Sequence, residues 1–203
     1  MDAQAEIWKR ILTGPESDMI LRAAVRRVGY GLSNMVNKVI NGSPPKTKMI
    51  PIARVATHAG APDAEMVGIY LRIESGLRGQ AILMLPLNFA LNLVDLVVGT
   101  PRGSSVELGV MERSALAEVG NLTLSYFLNT IASFTEDPEM FQPSPPVVMV
   151  DMLGAILNII AAPAAFVSDE LYLIETIFRD IEKTVWVRFW VLPDPSIPWS
   201  QFL

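Results

Sequence analysis

The feature that most restricts this chain is that its order of segments occurs twice. A helical pattern from about Asp18 to Ile40 is broken by "NGSPP" (41–45). Three strand-like runs follow, "KMIPIARVATH", "MVGIYLRIES" and "GQAILMLP", and then a short apolar helix, "LNFALNLVDLVVG", with Gly99 at its end. "TPRGSS" (100–105) is polar and flexible enough to be a linker. A long helix from about Glu112 to Phe134 then starts the order again. A loop ending in "PSPP", a strand "VVMV", an apolar helix near Leu153 to Ala161, and the strands "LYLIETIFRD" and "TVWVRFWVLP" complete it. A shorter helix, Ala3 to Leu12, precedes both copies and is stopped by Gly14-Pro15.

The two copies also match in residues. "AAVRRVGY" (23–30) lies over "SALAEVGN" (114–121) at an offset of 91, which aligns Val28 with Val119 and Gly29 with Gly120. "SPP" at 43–45 recurs at 144–146, an offset of 101, and "IES" (73–75) against "IET" (174–176) keeps that value. The change between offsets is one ten-residue insertion within "ASFTEDPEMFQP", as a duplicated unit leaves behind. The expected fold is α+β and internally duplicated. Two long helices pack on a mostly antiparallel sheet with pseudo-two-fold symmetry. Residues 1–203 form a single domain of two repeats, about 15–100 and 105–203, sharing one core.

Hydrophobic residues make up 51% of the chain and charged ones 18%, ample for such a core. A net charge of −5 argues against a nucleic-acid partner, because phosphate contacts want a basic patch. The absence of cysteine removes disulfides, thiol nucleophiles and thiolate metal sites. The most apolar run, Val147 to Val167, is broken by Asp151, Asn158 and Pro163, so no membrane insertion is expected. The start of the chain lacks the basic-then-apolar layout of a signal peptide, and a cytoplasmic location is expected.

Several chemistries are excluded by spacing. "GTPRGSS" lacks the pattern of a phosphate-binding loop. Ser33 and Ser125 have no histidine nearby to act as base. The single histidine, His58, has no obvious partner and reads as structural or exposed. Asp151 reads as a helix cap, and the scattered methionines as core filler. No metal-ligand cluster is visible.

Ser114, Glu118, Asn121 and Ser125 remain. At about 100° per residue these four occupy an arc of roughly 60° on the second long helix. Leu116, Thr123, Phe127 and Ile131 fall on the far side. No Lys or Arg occurs between Ser114 and Asn129, whereas a solvated helix face uses both freely. Two readings are open. The stripe is a surface face light in charge, or it is a docking face. In the second case a carboxylate meets a partner's lysine, and an amide, donor and acceptor at once, orients a water. In the first repeat Glu118 corresponds to Arg27, Asn121 to Tyr30 and Ser114 to Ala23.

With these residues in view, the chain resembles the CheC family of chemotaxis proteins, phosphatases of the phosphorylated response regulator CheY. The likeness runs from about Met19 to Pro193 and is strongest in "MERSALAEVGNLTLSYFLNTIASF", "PSPPVVMVDMLGAIL" and "LIETIFRD…VLPDP". The family signature is Asp or Ser, three residues, Glu, two residues, Asn, then 22 residues and Pro. Ser114, Glu118 and Asn121 match it; the proline falls on Ser144, between Pro143 and Pro145. The resemblance implies a helix that docks on a receiver domain carrying an aspartyl phosphate. Asn121 orients the attacking water, Glu118 pairs with a receiver lysine, and Ser114, Ser125 and Pro145 contact the partner. It implies no cofactor of the chain's own, the Mg²⁺ being the receiver's, and no metal site. The family usually carries two such sites; Arg27 and Tyr30 mark the first as degenerate. Alternatives are an adaptor that binds the deamidase CheD or phospho-CheY, and a flagellar switch component related to FliY and FliM. Trp199 and Phe202, in a stretch where the resemblance implies a closing helix, are expected to pack back on the fold or form a contact.

Overall fold

The computed structural model describes residues 3–135 and 141–197; Trp199 and Phe202 lie outside them. Helices α1 (Ala3–Thr13) and α2 (Ser17–Val36) lead into strands β1 (Asn41–Gly42) and β2 (Lys46–Pro51). A 3₁₀ turn (Ile52–Arg54) and α3 (Val55–Ala59) precede the hairpin β3 (Glu65–Ile73) and β4 (Gly79–Pro86), and α4 (Leu87–Val98) closes the first half. The second half holds α5 (Val110–Ala132), β5 (Val147–Met152), α6 (Leu153–Ala165), β6 (Glu170–Arg179) and β7 (Trp186–Pro193). The fold is α+β, as expected. No helix among the described residues is long and apolar enough to cross a membrane.

The strands form one antiparallel sheet in the order β1-β6-β7-β4-β3-β5, with β2 following β1 along β6. The order is unchanged when β2 and β5, β3 and β6, and β4 and β7 are exchanged. Strands β4 and β7 meet at the centre, where Ile82 faces Trp190. Each half lends its first long strand to the other: β2 pairs with β6, and β5 with β3. Alternation along the strands makes two apolar layers. Val67, Ile69, Leu71 and Ile73 of β3 face the cluster built with α1, α2, α4 and α5. Met66 and Tyr70 face the cluster built with α3 and α6.

Two serines show how the halves correspond. The Ser43 N–H donates to the Ile177 carbonyl (2.8 Å), and the Ile177 N–H donates to Ser43 Oγ (3.0 Å). Ser144 makes the same pair of bonds with Arg72, at 2.8 and 2.9 Å. The serines stand 101 residues apart, as the sequence predicts, but their partners stand 105 apart. The match of "IES" to "IET" is therefore four residues out of register. Seventeen residues separate β5 from β6 against thirteen between β2 and β3, the difference lying in the longer α6.

Other boundaries also differ from expectation. The strand foreseen over 48–58 ends at Pro51. Beyond it Ile52, Val55 and Ala59 take a helical spacing and pack against the α6 side. The first long helix stops at Val36 rather than Ile40, because Asn37 turns left-handed (φ 51°). There Ser33 Oγ donates to the Gly29 carbonyl and accepts the Ile40 N–H, which folds the chain back. Helix α6 continues through Pro163, which sits exposed near its end. Asp151 does not cap α6; it lies within β5 and accepts the N–H of Met152.

The supposed linker 100–105 is fastened. Buried Asp95 accepts the N–H groups of Gly103 (2.7 Å) and Ser105 (2.8 Å), with the Thr100 hydroxyl alongside. Burial pushes the Asp95 carboxyl up, but the bonds from Ser105, Gly103 and Thr100 outweigh it and hold the group below the usual range. Asp180, buried and bonded to Thr184 and Val185, is lowered for the same reason. A folded value below the unfolded one, about 3.9, gives a contribution complete above that pH and lost as pH falls through the folded value. Stability is therefore expected to fall steeply below about pH 4. Asp95→Asn should flatten that fall in urea titrations and speed hydrogen exchange at Gly103 and Ser105.

Candidate active site on the second long helix

Helix α5 lies on β3 because Gly120 lets it. A Cβ at Gly120 would come within 2.5 Å of Ile69 Cγ2. Its neighbour α2 comes equally close at Gly31, where a Cβ would meet the Tyr126 ring at 2.1 Å and Leu122 at 3.1 Å. Arg27 meets Tyr126 one turn away, so the two helices run antiparallel. At the offset of 91, Gly31 and Leu122 are equivalent positions; the crossing sits on the pseudo-two-fold axis.

This packing fixes which side of α5 is free. Leu116, Val119, Thr123, Leu124, Phe127 and Leu128 are buried against the sheet and α2. Ser114 and Glu118 are exposed, and Asn121 and Ser125 half-buried, on the opposite side. The stripe thus stands as one continuous outward face. Among the described residues no hydrogen bond or ion pair engages Glu118 or Asn121. An acid and an amide that the fold does not use are held on a long, well-packed helix. Such a face can accept a cation from a partner and place a water.

The proline loop has a different use here. Ser144 is buried, and its N–H and Oγ both bind the edge of β3 at Arg72. A proline at 144 has neither group. Pro145 is exposed beside it, and Pro143 bridges to Ile73.

The first-repeat positions have been rebuilt as a stack. The Arg27 guanidinium lies 5.7 Å from the Tyr30 ring centre and 5.1 Å from that of Tyr126. Tyr126 was not singled out in the sequence. Its signal is Gly31, a glycine inside a long helix, which marks a close approach by a large neighbour. The partners of His58 are also invisible in the sequence: the ring is half-buried, with Nε2 3.1 Å from Lys48 Nζ and 3.6 Å from Glu175 Oε2.

Two predictions test this packing. Gly120→Ala should cost about 1–3 kcal/mol by overpacking against Ile69. That outcome would oppose the gain of about 1 kcal/mol expected from helix propensity alone. Ser144→Pro should cost a further loss of similar size, about 1–3 kcal/mol, by stranding buried groups at Arg72. Urea midpoints read both.

No family model matches the chain. The CheY-P phosphatase CheC of Bacillus subtilis (strain 168) is 25% identical over 188 residues, covering 88% of this chain and 89% of that protein. Among solved structures, Thermotoga maritima FliY superposes with a TM-score of 0.68 at 16% identity, over 96% of this chain and 92% of that one. The FliM middle domain of Vibrio alginolyticus gives 0.60 at 14% identity, over 93% and 100%. A CheC-like superfamily protein from Shewanella gives 0.56 at 10% identity, over 86% and 97%. The chain therefore has the fold shared by CheC, FliY and the FliM middle domain, and in sequence it resembles CheC.

Proposed function

We propose that the chain is a chemotaxis phosphatase that hydrolyses the aspartyl phosphate of a CheY-type receiver, through one site on α5. The observation that carries this reading is the unengaged pair Glu118 and Asn121 on the outward face of α5, in a chain similar to a CheY-P phosphatase. Glu118 pairs with a receiver lysine and sets the register. Asn121 enters the receiver's active site, accepts a hydrogen bond from the attacking water through its carbonyl oxygen, and so turns the water's lone pair toward phosphorus. Ser114, Ser125 and Pro145 line the contact. Any Mg²⁺ would be the receiver's, and would supply charge neutralisation at the phosphoryl group there. Phosphoryl transfer depends mainly on positioning and electrostatics, so one placed amide supplies a large share of the rate. Arg27 and Tyr30, stacked with Tyr126, take no part.

A second reading is favoured by the likeness to FliY and the FliM middle domain. In it the face is a docking surface of an adaptor or switch component, one that binds phospho-CheY, or CheD, without hydrolysis. The decay of a phosphorylated CheY-type receiver separates the two. The wild-type chain should accelerate the decay, and Asn121→Ala should lose about a hundredfold or more of that acceleration while still binding. If wild type and variant both bind and neither alters the decay, the adaptor reading replaces the phosphatase.

A further inference from the structure

The face of the sheet opposite α2 and α5 carries an ionic cluster that the phosphatase reading does not use. Lys48 on β2 donates to Glu175 Oε1 on β6 (2.8 Å), and the Trp190 indole on β7 donates to Glu175 Oε2 (2.8 Å). His58 on α3 closes the group, within reach of both Lys48 and Glu175. Arg188 stacks on Trp186 and donates to the Ala59 carbonyl at the end of α3; its Nε is buried without a partner among the described residues. Burial pushes the His58 imidazole below its ordinary value and Lys48 lowers it further, against the pull of Glu175. Burial pushes Glu175 up, but the bonds from Lys48 and Trp190 outweigh it and leave the carboxyl lowered.

The duplicated fold supplies its own control. The correspondence fixed by the two serines and the strand registers puts Met149 where Lys48 stands, and Tyr70 where Glu175 stands. It likewise puts Ile82 at Trp190 and Gln80 at Arg188. In that half the Tyr70 hydroxyl donates to Gln80 Oε1 (3.2 Å), and Gln80 Nε2 donates to the Ile160 carbonyl of α6 (3.4 Å), as Arg188 does to Ala59. The same corner thus closes with neutral, satisfied groups. Taking charges out of water is costly, so the ionic version answers to something other than the architecture.

Its charge balance says what. Lys48 and Arg188 both act on one carboxylate, Glu175, and Arg54 lines the same groove as Lys48, in a chain whose net charge is −5. Lys48, Arg54, Thr57 and His58 line an open groove of about 440 Å³ with an apolar floor from Met49 and Ile50. Arg54 is exposed and makes no ion pair among the described residues. We propose that this groove is an anion site, which takes the phosphate or carboxylate group of a small ligand between Arg54 and Lys48, with His58 at its wall. The site is independent of α5 and lies on the other layer of the fold.

His58 is the only histidine, so its ring proton resonances report the site without assignment. The experiment follows them by NMR against pH, with inorganic phosphate or sodium acetate added at constant ionic strength and sodium chloride as reference. A bound anion favours the imidazolium. The resonances should shift saturably, and the titration midpoint should rise by about half a pH unit or more. Arg54→Ala, an exposed change, should abolish the effect, and Lys48→Met, the residue of the other half, should do the same. A response to phosphate alone assigns a phosphoryl ligand; one to acetate alone assigns a carboxylate. A shift that does not saturate, or matches that in chloride, overturns the proposal, as does a saturable shift that survives Arg54→Ala.

Discussion

Everything in this molecule depends on the reciprocal loan of edge strands. Strand β2 of the first half is hydrogen-bonded to β6 of the second, and β5 of the second to β3 of the first. Withdraw either and a buried strand is left with a row of unpaired N–H and C=O groups. The halves therefore close each other, and the twin serines at 43 and 144 pin both loans at their starts. A pair of apolar layers follows, because alternation along six shared ladders leaves both sheet faces needing cover.

The exchange also fixes where chemistry can be placed. It sets α2 and α5 side by side over one face, antiparallel, and crossing at a glycine. Their inward positions are committed to the core, while their outward positions have no structural duty. That freedom explains how one copy came to hold an acid and an amide and the other an arginine and a tyrosine, on the same backbone. Exposed polar substitutions of this kind change stability by only a few tenths of a kcal/mol, so the two faces drift apart at little cost. Arg27 went further and acquired a use of its own, binding the rings of Tyr30 and Tyr126.

The order of elements and the outward stripe on α5 were legible in the sequence; the stripe rests on four polar residues at steps of four and three, since the hydrophobic contrast around this helix is weak. The pairing of the halves was not legible, because nothing local to β2 or β5 states which strand it joins. The register was read wrongly at "IES" for a related reason: three matching residues weigh less than four extra residues in α6, whose length only packing reveals. The short helix after Pro51 was hidden by β-branched and aliphatic residues that suit a strand or a helix alike. Lys48 and His58 are ten residues apart, but Glu175 is 127 residues beyond Lys48, so its joining them depends on the strand exchange and could not precede it. Asp95 was passed over because a carboxylate in an apolar helix signals nothing until the loop that wraps it is seen.

A duplicated chain lets each half serve as the reference for the other. What both halves share, the serine clasps, the buried glycines at 29 and 120 and the donor to a helix carbonyl from Gln80 or Arg188, belongs to the architecture. What only one half has is free to belong to function. By that test α5 carries a free acid–amide face where α2 carries a closed stack. The β2–β6 corner carries charge where the β5–β3 corner is neutral. The two asymmetries lie on opposite layers of the sheet and share no residue, so one can change without the other. A fold whose halves must stay joined to be stable can in this way hold two separate specialisations without dividing into two domains.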